Sequence, residues 1–127
     1  MTKIVLGKRP ETFKPFPVKF EMPDGTEGVI QATFNYCTRT EFGAMLNKIF
    51  AVASKDAQVE GALDYAKIFA ETADKNAEHL LAALHAWDLD AELSLKSLQE
   101  LCDTIPAASA ALMGAFSVAA QQGRLGN

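Results

Sequence analysis

Residues 18–36 read VKFEMPDGTEGVIQATFNY, and this stretch determines how the first part of the chain folds. Apolar and polar residues alternate on both sides of a central Met22-Pro23-Asp24-Gly25 sequence. Alternation with a period of two is typical of a strand with one buried face. Proline fixes φ at the second position of a turn, and glycine supplies the positive φ that the exit requires. The stretch predicts a β-hairpin whose inward-facing residues are Val18, Phe20, Met22, Ile30, Ala32, Phe34 and Tyr36.

The residues before the hairpin are rich in proline. Pro15 and Pro17 lack the backbone N–H that a central strand donates, so the start of the first arm is predicted to lie at an edge of the sheet. Residues 3–6 are a candidate for a third short strand. Because a two-stranded hairpin is only marginally stable in water, its apolar face must be covered by a helix or by another subunit.

Residue usage changes near position 38. Four of the five prolines precede this position, whereas 20 of the 21 alanines follow it. Proline cannot donate to a ladder and alanine is the best helix former, so we predict strands first and helices second, an α+β fold. A chain of 127 residues has the length of one domain. We therefore predict a single domain, residues 1–127, with a hairpin part at 1–37, a helical part at 38–122 and a loose tail at 123–127.

The helical part is predicted to hold four to five helices packed on the hairpin. Thr38-Arg39-Thr40-Glu41 has the form of a capping box, and residues 58–85 carry a second helical stripe that fits one helix or two. The two-helix alternative places the break at residues 74–76. The first helix carries an apolar stripe at Phe42, Met45, Leu46, Ile49, Phe50 and Ala53, and the second stripe begins at Val59, Ala62 and Leu63 and ends at Leu84.

The last third of the chain contains clear start and stop signals. Trp87-Asp88-Leu89-Asp90 interrupts the helical pattern and is predicted to be a loop. Ser94 is predicted to cap the next helix, and Pro106 fits the first turn of the last helix. Gly123 lies where a helix C-cap belongs.

Composition and charge exclude several functional classes. The net charge is −4, which argues against a general affinity for nucleic acid. The sequence contains no run of about 18 apolar residues, so no membrane span is predicted. The apolar run near the N-terminus is too short for a secretory signal. Cys37 and Cys102 are far apart and lie in no motif, which favours free thiols in a reducing cytoplasm.

The histidines and cysteines are the first candidates for chemistry. His79 and His85 are six residues apart, so on a helix they point in different directions and are interpreted as surface or boundary residues. Cys102 falls on the apolar stripe of its helix, where a thiol is usually inert. Cys37 lies at the junction of strand and helix and is predicted to be the more exposed thiol.

An acidic loop is the other candidate. Asp88, Asp90 and Glu92 alternate as at the start of a calcium loop, but Leu93 stands where that loop needs glycine and Gln99 where it needs glutamate. Phosphate-binding glycine motifs and a nucleophile elbow are also missing from the sequence. We therefore predict no catalytic residues, no metal, no cofactor and no enzymatic activity, with a small thiol-based enzyme kept as an alternative.

Charge is divided unevenly along the chain. Residues 1–50 carry 7 basic and 5 acidic residues, whereas residues 51–127 carry 5 basic and 11 acidic residues. Complementary charged surfaces steer association, so this asymmetry predicts head-to-tail self-association.

The last third of the chain combines the Trp87-Asp88 loop, Pro106 before the final helix, Phe116 within it and a Gly123-Arg124-Leu125-Gly126-Asn127 ending. The front combines the hairpin with Tyr36-Cys37-Thr38-Arg39-Thr40-Glu41-Phe42-Gly43 leading into the first helix. In these features the chain resembles the tail assembly chaperones of long-tailed bacteriophages and prophages.

This resemblance implies a non-enzymatic assembly factor. Such a chaperone binds the long, apolar tape-measure protein while tail-tube subunits polymerise around it in the bacterial cytoplasm, and it is absent from the mature virion. The implied partners are the tape-measure protein and, as a second candidate, the tail-tube protein, with no nucleic acid and no membrane. The alternative is a structural minor tail or tail-completion protein that stays in the virion.

The predicted partner surface combines the outer face of the last helix, its tail and the proline-rich edge. Exposed edges and aromatic residues are where binding energy tends to concentrate. The residues expected to bind the partner are Phe13, Phe16, Trp87, Phe116, Arg124 and Leu125.

Overall fold

A computed structural model of the protein describes residues 3–50 and 64–124. Three strands form one antiparallel sheet in the order β1-β2-β3, and the described residues also form four helices. This arrangement confirms the predicted α+β fold. In chain order the elements are β1 (Phe16–Glu21), β2 (Glu27–Phe34), α1 (Arg39–Phe50), α2 (Tyr65–Ala83), β3 (Leu84–Trp87), α3 (Leu95–Thr104) and α4 (Pro106–Gln122).

The hairpin between β1 and β2 forms at the predicted turn. The Gly25 amide donates to the Met22 carbonyl at 2.8 Å, and the Met22 amide donates to the Thr26 carbonyl at 2.7 Å. Gly25 has a φ of 86°, which is the left-handed conformation that glycine was predicted to supply. The Asp24 carboxylate accepts hydrogen bonds from the amide and the hydroxyl of Thr26, at 3.0 and 2.6 Å, and so holds the turn in place.

The third strand of the sheet is β3, so the prediction that residues 3–6 form a third strand was wrong. Residues 3–5 have no regular structure, and Leu6 and Gly7 form a turn. The prediction that Leu84 belongs to a helix and Trp87 to a loop was also wrong, since both residues lie in β3. Leu84 leaves α2 with φ −87° and ψ 130°, so the chain passes directly from the helix into the strand. Four residues are too few to show a strand period in the sequence.

Helix ends follow the local signals in the sequence. The Thr38 hydroxyl accepts from the Glu41 amide at 3.2 Å, and the Glu41 carboxylate accepts from the Thr38 amide at 2.9 Å, which completes the predicted capping box. Ser94 caps α3 together with Ser97, and Pro106 begins α4. Gly123 ends α4 with a φ of 76°, as predicted.

The second helical stripe forms one helix rather than two in the described residues. Helix α2 runs from Tyr65 to Ala83 without a break at residues 74–76. The Asp64 carboxylate caps it by accepting from the Lys67 amide at 3.1 Å. Four predicted helical residues lie outside the described residues, namely Ala53, Val59, Ala62 and Leu63.

The core is formed where α4 crosses the inner face of the sheet. The ring of Phe116 on α4 lies 5.4 Å from the ring of Phe34 on β2, and both side chains are fully buried. Helices α2 and α3 add fully buried leucines at Leu80 and Leu98. The predicted inner face of the hairpin is therefore covered by a helix of the same chain.

Among the described residues, no single helix is both long and apolar enough to span a membrane. Helices α3 and α4 satisfy the length and composition requirements only as a pair that is bent by 115°.

Candidate functional site

The cysteines lie in environments that disfavour a thiolate. Cys37 is 8% exposed and Cys102 is 7% exposed, so both thiols are buried and the predicted difference in exposure is very small. Burial raises the pKa of both thiols, whereas a nucleophilic cysteine needs a lowered pKa. Cys37 is buried as a member of the core cluster that also contains Phe34 and Phe42, and its position between a strand and a helix did not signal this burial.

His79 is a core residue, and its interpretation as a surface or boundary residue was wrong. It is 2% exposed, and three phenylalanine rings surround it, with centroid distances of 6.3 Å to Phe42, 5.6 Å to Phe50 and 5.7 Å to Phe116. Its Nδ1 atom has no hydrogen-bond partner in the described part of the chain. Burial lowers the pKa of the imidazole, which favours its neutral form. His85 is exposed, as predicted.

The described residues do not assemble a metal site. No group of three or more histidine, cysteine, aspartate or glutamate side chains within residues 3–50 and 64–124 is placed to hold a metal ion. The Asp88 carboxylate instead accepts a hydrogen bond from the backbone amide of Gln31 at 2.9 Å, which connects the acidic loop to β2. This loop therefore has a structural contact to the sheet.

The residues predicted to bind a partner differ in how far they are buried. Phe116 is fully buried and Phe13 is 5% exposed, so both pack in the core rather than on a surface. Phe16 and Trp87 are half-buried, and the Trp87 indole donates to the Ala91 carbonyl at 2.9 Å. Arg124 is exposed, and Leu125 lies outside the described residues.

A cleft brings the proline-rich edge and the end of α4 together. We call it the edge cleft, and its volume is about 350 Å³. One side of the Phe13 ring faces Tyr36, with 5.1 Å between the ring centroids. The cleft is lined by Pro10, Thr12, Phe13, Lys14, Tyr36, Gly123 and Arg124.

A second open cleft lies between α1 and the last turn of α4. We call it the α1–α4 cleft, and its volume is about 630 Å³. Phe42 and Leu46 come from the apolar stripe of α1 and supply its apolar surface. The lining consists of Arg39, Thr40, Phe42, Leu46 and Gln121.

A charged network connects the segment before β1 with the start of α1. The Arg9 guanidinium donates to both carboxylate oxygens of Glu41, at 2.6 and 3.3 Å, and lies 4.9 Å from the centroid of the Tyr36 ring. Hydrogen bonds from Arg9 and from the Thr38 amide lower the pKa of Glu41 to about 2. Because the pair is half-exposed, it contributes more to local geometry than to overall stability.

The clefts differ in the sign of the charged side chains that line them. The edge cleft and the α1–α4 cleft are lined by three basic side chains and by no acidic one, namely Lys14, Arg39 and Arg124. A cleft between α2 and α3, of about 340 Å³, is lined by three acidic side chains and by no basic one, namely Asp74, Glu100 and Asp103. The uneven charge division along the sequence therefore has a counterpart on the folded surface.

Two exposed apolar patches were not identified from the sequence. Ile4 and Leu6 are 86% and 93% exposed. Tyr65 and Phe69 on α2 are 62% and 66% exposed, and their rings stack with 6.4 Å between centroids. The spacing of these two aromatic residues, four apart on a helix, is the signal that could have identified the second patch.

Comparison with known protein families assigns the whole chain to a family. The model of a family described as phage tail assembly chaperone matches residues 1–127, which is the whole of the chain. No curated protein matches the chain, and no solved structure matches it.

Proposed function

The chain belongs to the phage tail assembly chaperone family, and from this membership we propose that it binds the tape-measure protein without catalysing a reaction. The family implies an interaction with phage tail proteins and a non-enzymatic role. Tape-measure binding is the specific form of that interaction which the surface of this chain supports. The tail-tube protein is a second candidate partner in the same assembly.

The pair of open clefts at the end of α4 is the observation that carries the proposal. The edge cleft and the α1–α4 cleft both end at the last turn of α4, through Gly123 and Gln121. Each has a largely buried phenylalanine in its lining, Phe13 or Phe42, together with exposed basic side chains at its rim. An amphipathic client helix fits such a surface by placing its apolar stripe against the clefts.

Binding of this kind is suited to a transient role. Burying about 300 Å² of apolar surface contributes roughly 7.5 kcal/mol before the cost of association is subtracted. Loss of translational and rotational freedom offsets about 4–15 kcal/mol, so the net affinity is modest and the client is released again. We propose that the chaperone acts in the cytoplasm of the bacterial host and is absent from the mature virion. Self-association through the oppositely charged surfaces is part of the same proposal.

A capture experiment tests client binding. Leu46→Asp places a charge in the α1–α4 cleft, so the amount of soluble tape-measure fragment that co-purifies with the chaperone is expected to fall several-fold. The control is Leu81→Asp, since Leu81 is 40% exposed on α2. Thermal unfolding of both variants checks that they fold. Equal capture by both folded variants would place the client elsewhere.

A second pair of variants avoids any risk to folding. Arg39 and Lys96 are both exposed and lie in the first turns of α1 and α3. Glutamate in a first turn is favourable, so neither Arg39→Glu nor Lys96→Glu should unfold the chain. Only Arg39→Glu changes the basic rim of the α1–α4 cleft and should alter capture.

Quantifying the protein in purified virions separates the chaperone from a structural tail protein, because a structural protein remains in the particle.

A further inference from the structure

The segment formed by residues 4–6 exposes more apolar surface than the rest of the described chain before β1. Ile4, Val5 and Leu6 are 86%, 59% and 93% exposed. Lys3 and Lys8 flank the segment, and Gly7 follows it with a φ of 86°. We call residues 3–8 the apolar arm. Within residues 3–50 and 64–124, no part of the same chain covers these three side chains, so they are available to a partner.

The cleft between α2 and α3 has the complementary properties. Ala70 and Ala73 give it a small-residue apolar floor, and Asp74, Glu100 and Asp103 form an acidic rim. Phe69 lies four residues before Ala73 on the same helix, so its exposed ring continues the apolar floor along α2. The cleft therefore offers apolar contact in its centre and negative charge at its edge.

We propose that the apolar arm of one copy of this chain docks in the α2–α3 cleft of a second copy. Ile4 and Leu6 contact the alanine floor and Phe69, while Lys3 and Lys8 face the acidic rim. Charge complementarity selects this occupant, because the arm is basic and apolar and the cleft is acidic and apolar. The inference rests on the self-association proposed above and does not depend on the client site at the end of α4.

The geometry of this contact determines the form of the assembly. The arm and the cleft are different surfaces of one chain, so every copy donates an arm and also accepts one. Such a heterologous contact produces a ring if the rotation closes and an open chain if it does not. An arm of six residues buries less than about 1,200 Å² in total, so each contact is weak and reversible.

Sedimentation velocity of the full chain at low salt tests the proposal. The wild-type chain is expected to form concentration-dependent oligomers that shrink as salt is raised, since the charges are then screened. Leu6→Asp and Phe69→Asp should each raise the dissociation constant at least about tenfold. The matched controls are Val29→Asp and Val118→Asp, because Val29 and Val118 are exposed apolar residues outside the arm and the cleft. A monomeric wild-type chain at high concentration would overturn the proposal, as would Leu6→Asp oligomers that match the wild type.

Charge exchange gives a stricter test. A chain with Lys3→Glu and Lys8→Glu has an acidic arm and an acidic cleft, and a chain with Glu100→Lys and Asp103→Lys has a basic arm and a basic cleft. Each variant alone is expected to be monomeric, and an equimolar mixture should form oligomers again. A mixture that stays monomeric contradicts the pairing of arm and cleft.

A cross-link distinguishes the second copy from the arm's own chain. With Leu6→Cys and Ala70→Cys in one chain, mild oxidation should produce disulfide-linked dimers and larger species. A disulfide formed only within monomers would assign the arm to its own cleft and overturn the proposal. The Leu6→Asp variant should capture the client as well as the wild type does. Sedimentation therefore reports on the arm contact and capture reports on client binding, so the two proposals can fail separately.

Discussion

Phe16 on β1 and Trp87 on β3 lie on either side of Ala32 in one row across the sheet. Residues opposite each other on neighbouring strands point to the same face, so both aromatic side chains lie beside the fully buried methyl group of Ala32. The two aromatic residues are half-buried and pack against the core. Two of the predicted partner-binding residues therefore share one face of the sheet. That they bind a partner stays a prediction.

Ala32→Leu is expected to destabilise the fold. Ala32 is 0% exposed, so three added carbon atoms must displace the neighbouring side chains. Overpacking of this kind costs about 1–3 kcal/mol. Urea denaturation measures the change in the free energy of unfolding. Ala110→Leu is the control, because Ala110 is exposed on α4 and the same substitution there should change the free energy by less than about 0.5 kcal/mol.

Stability should depend on pH through His79. Burial lowers the folded-state pKa of this imidazole below the ordinary value of 6.5, so between these two pKa values the unfolded chain binds more protons than the folded chain. The free energy of unfolding therefore falls as pH is lowered below about 6.5 and is constant with respect to this group above that pH.

Variants at the two histidines separate this effect from general acid sensitivity. His79→Phe removes the titratable group and the unpaired Nδ1 atom, and it should flatten the profile between pH 7.5 and 5.5. His85→Gln changes an exposed histidine and serves as the comparison. Thermal unfolding at a series of pH values measures both, and parallel profiles for wild type and His79→Phe would contradict the prediction.

Arg9→Gln should raise the pKa of Glu41. The largest cause of the low pKa, about 2, is the hydrogen bond from Arg9, so its removal moves the carboxyl toward its ordinary value of 4.5. Because the folded-state pKa is lowered, any contribution of Glu41 to stability is present above pH 4.5 and is lost as the pH falls toward 2. Carbon-detected NMR titration of the side-chain carboxyl measures the pKa directly. Lys8→Gln changes a neighbouring charge that does not contact Glu41 and serves as the comparison.

Gly28→Ala should be destabilising because of the ring opposite it. A Cβ atom at Gly28 would lie 2.6 Å from Cε2 of Phe20, its partner across the hairpin. The ring must move from its place beside the core, at a cost of about 1–3 kcal/mol. Shortening Phe20 to leucine should remove most of the clash, so Gly28→Ala is expected to cost less in a Phe20→Leu background. A double-mutant cycle measures this coupling, and strictly additive effects would exclude the ring as the cause.

Features that depend on local chemistry were predicted correctly. The turn at Pro23 and Gly25, the cap at Thr38 and the proline start of α4 each follow from a few adjacent residues. Their hydrogen bonds and φ angles are satisfied within the same short segment, so the sequence contains all the information they require.

Features that depend on distant partners were predicted poorly. His79 is buried because rings from α1 and α4 close over it, and neither helix is adjacent to it in sequence. Strand β3 exists because β2 offers it a free edge, not because its four residues favour a strand on their own. The edge cleft likewise combines residues around Pro10 and Tyr36 with the end of α4. The sequence indicated both sides of this cleft, but the burial of Phe13 and Phe116 required the packed structure.

The position of β3 after α2 has a consequence for synthesis on the ribosome. The middle strand β2 acquires its second neighbour only when residues 84–87 have left the exit tunnel, about 50 residues after β2 itself. Helix α4, which covers the apolar face of the hairpin, emerges later still. A nascent chain that ends near residue 50 thus lacks the second neighbour of β2 and the helix that covers the hairpin, and we expect it to remain unfolded until α4 has been synthesised.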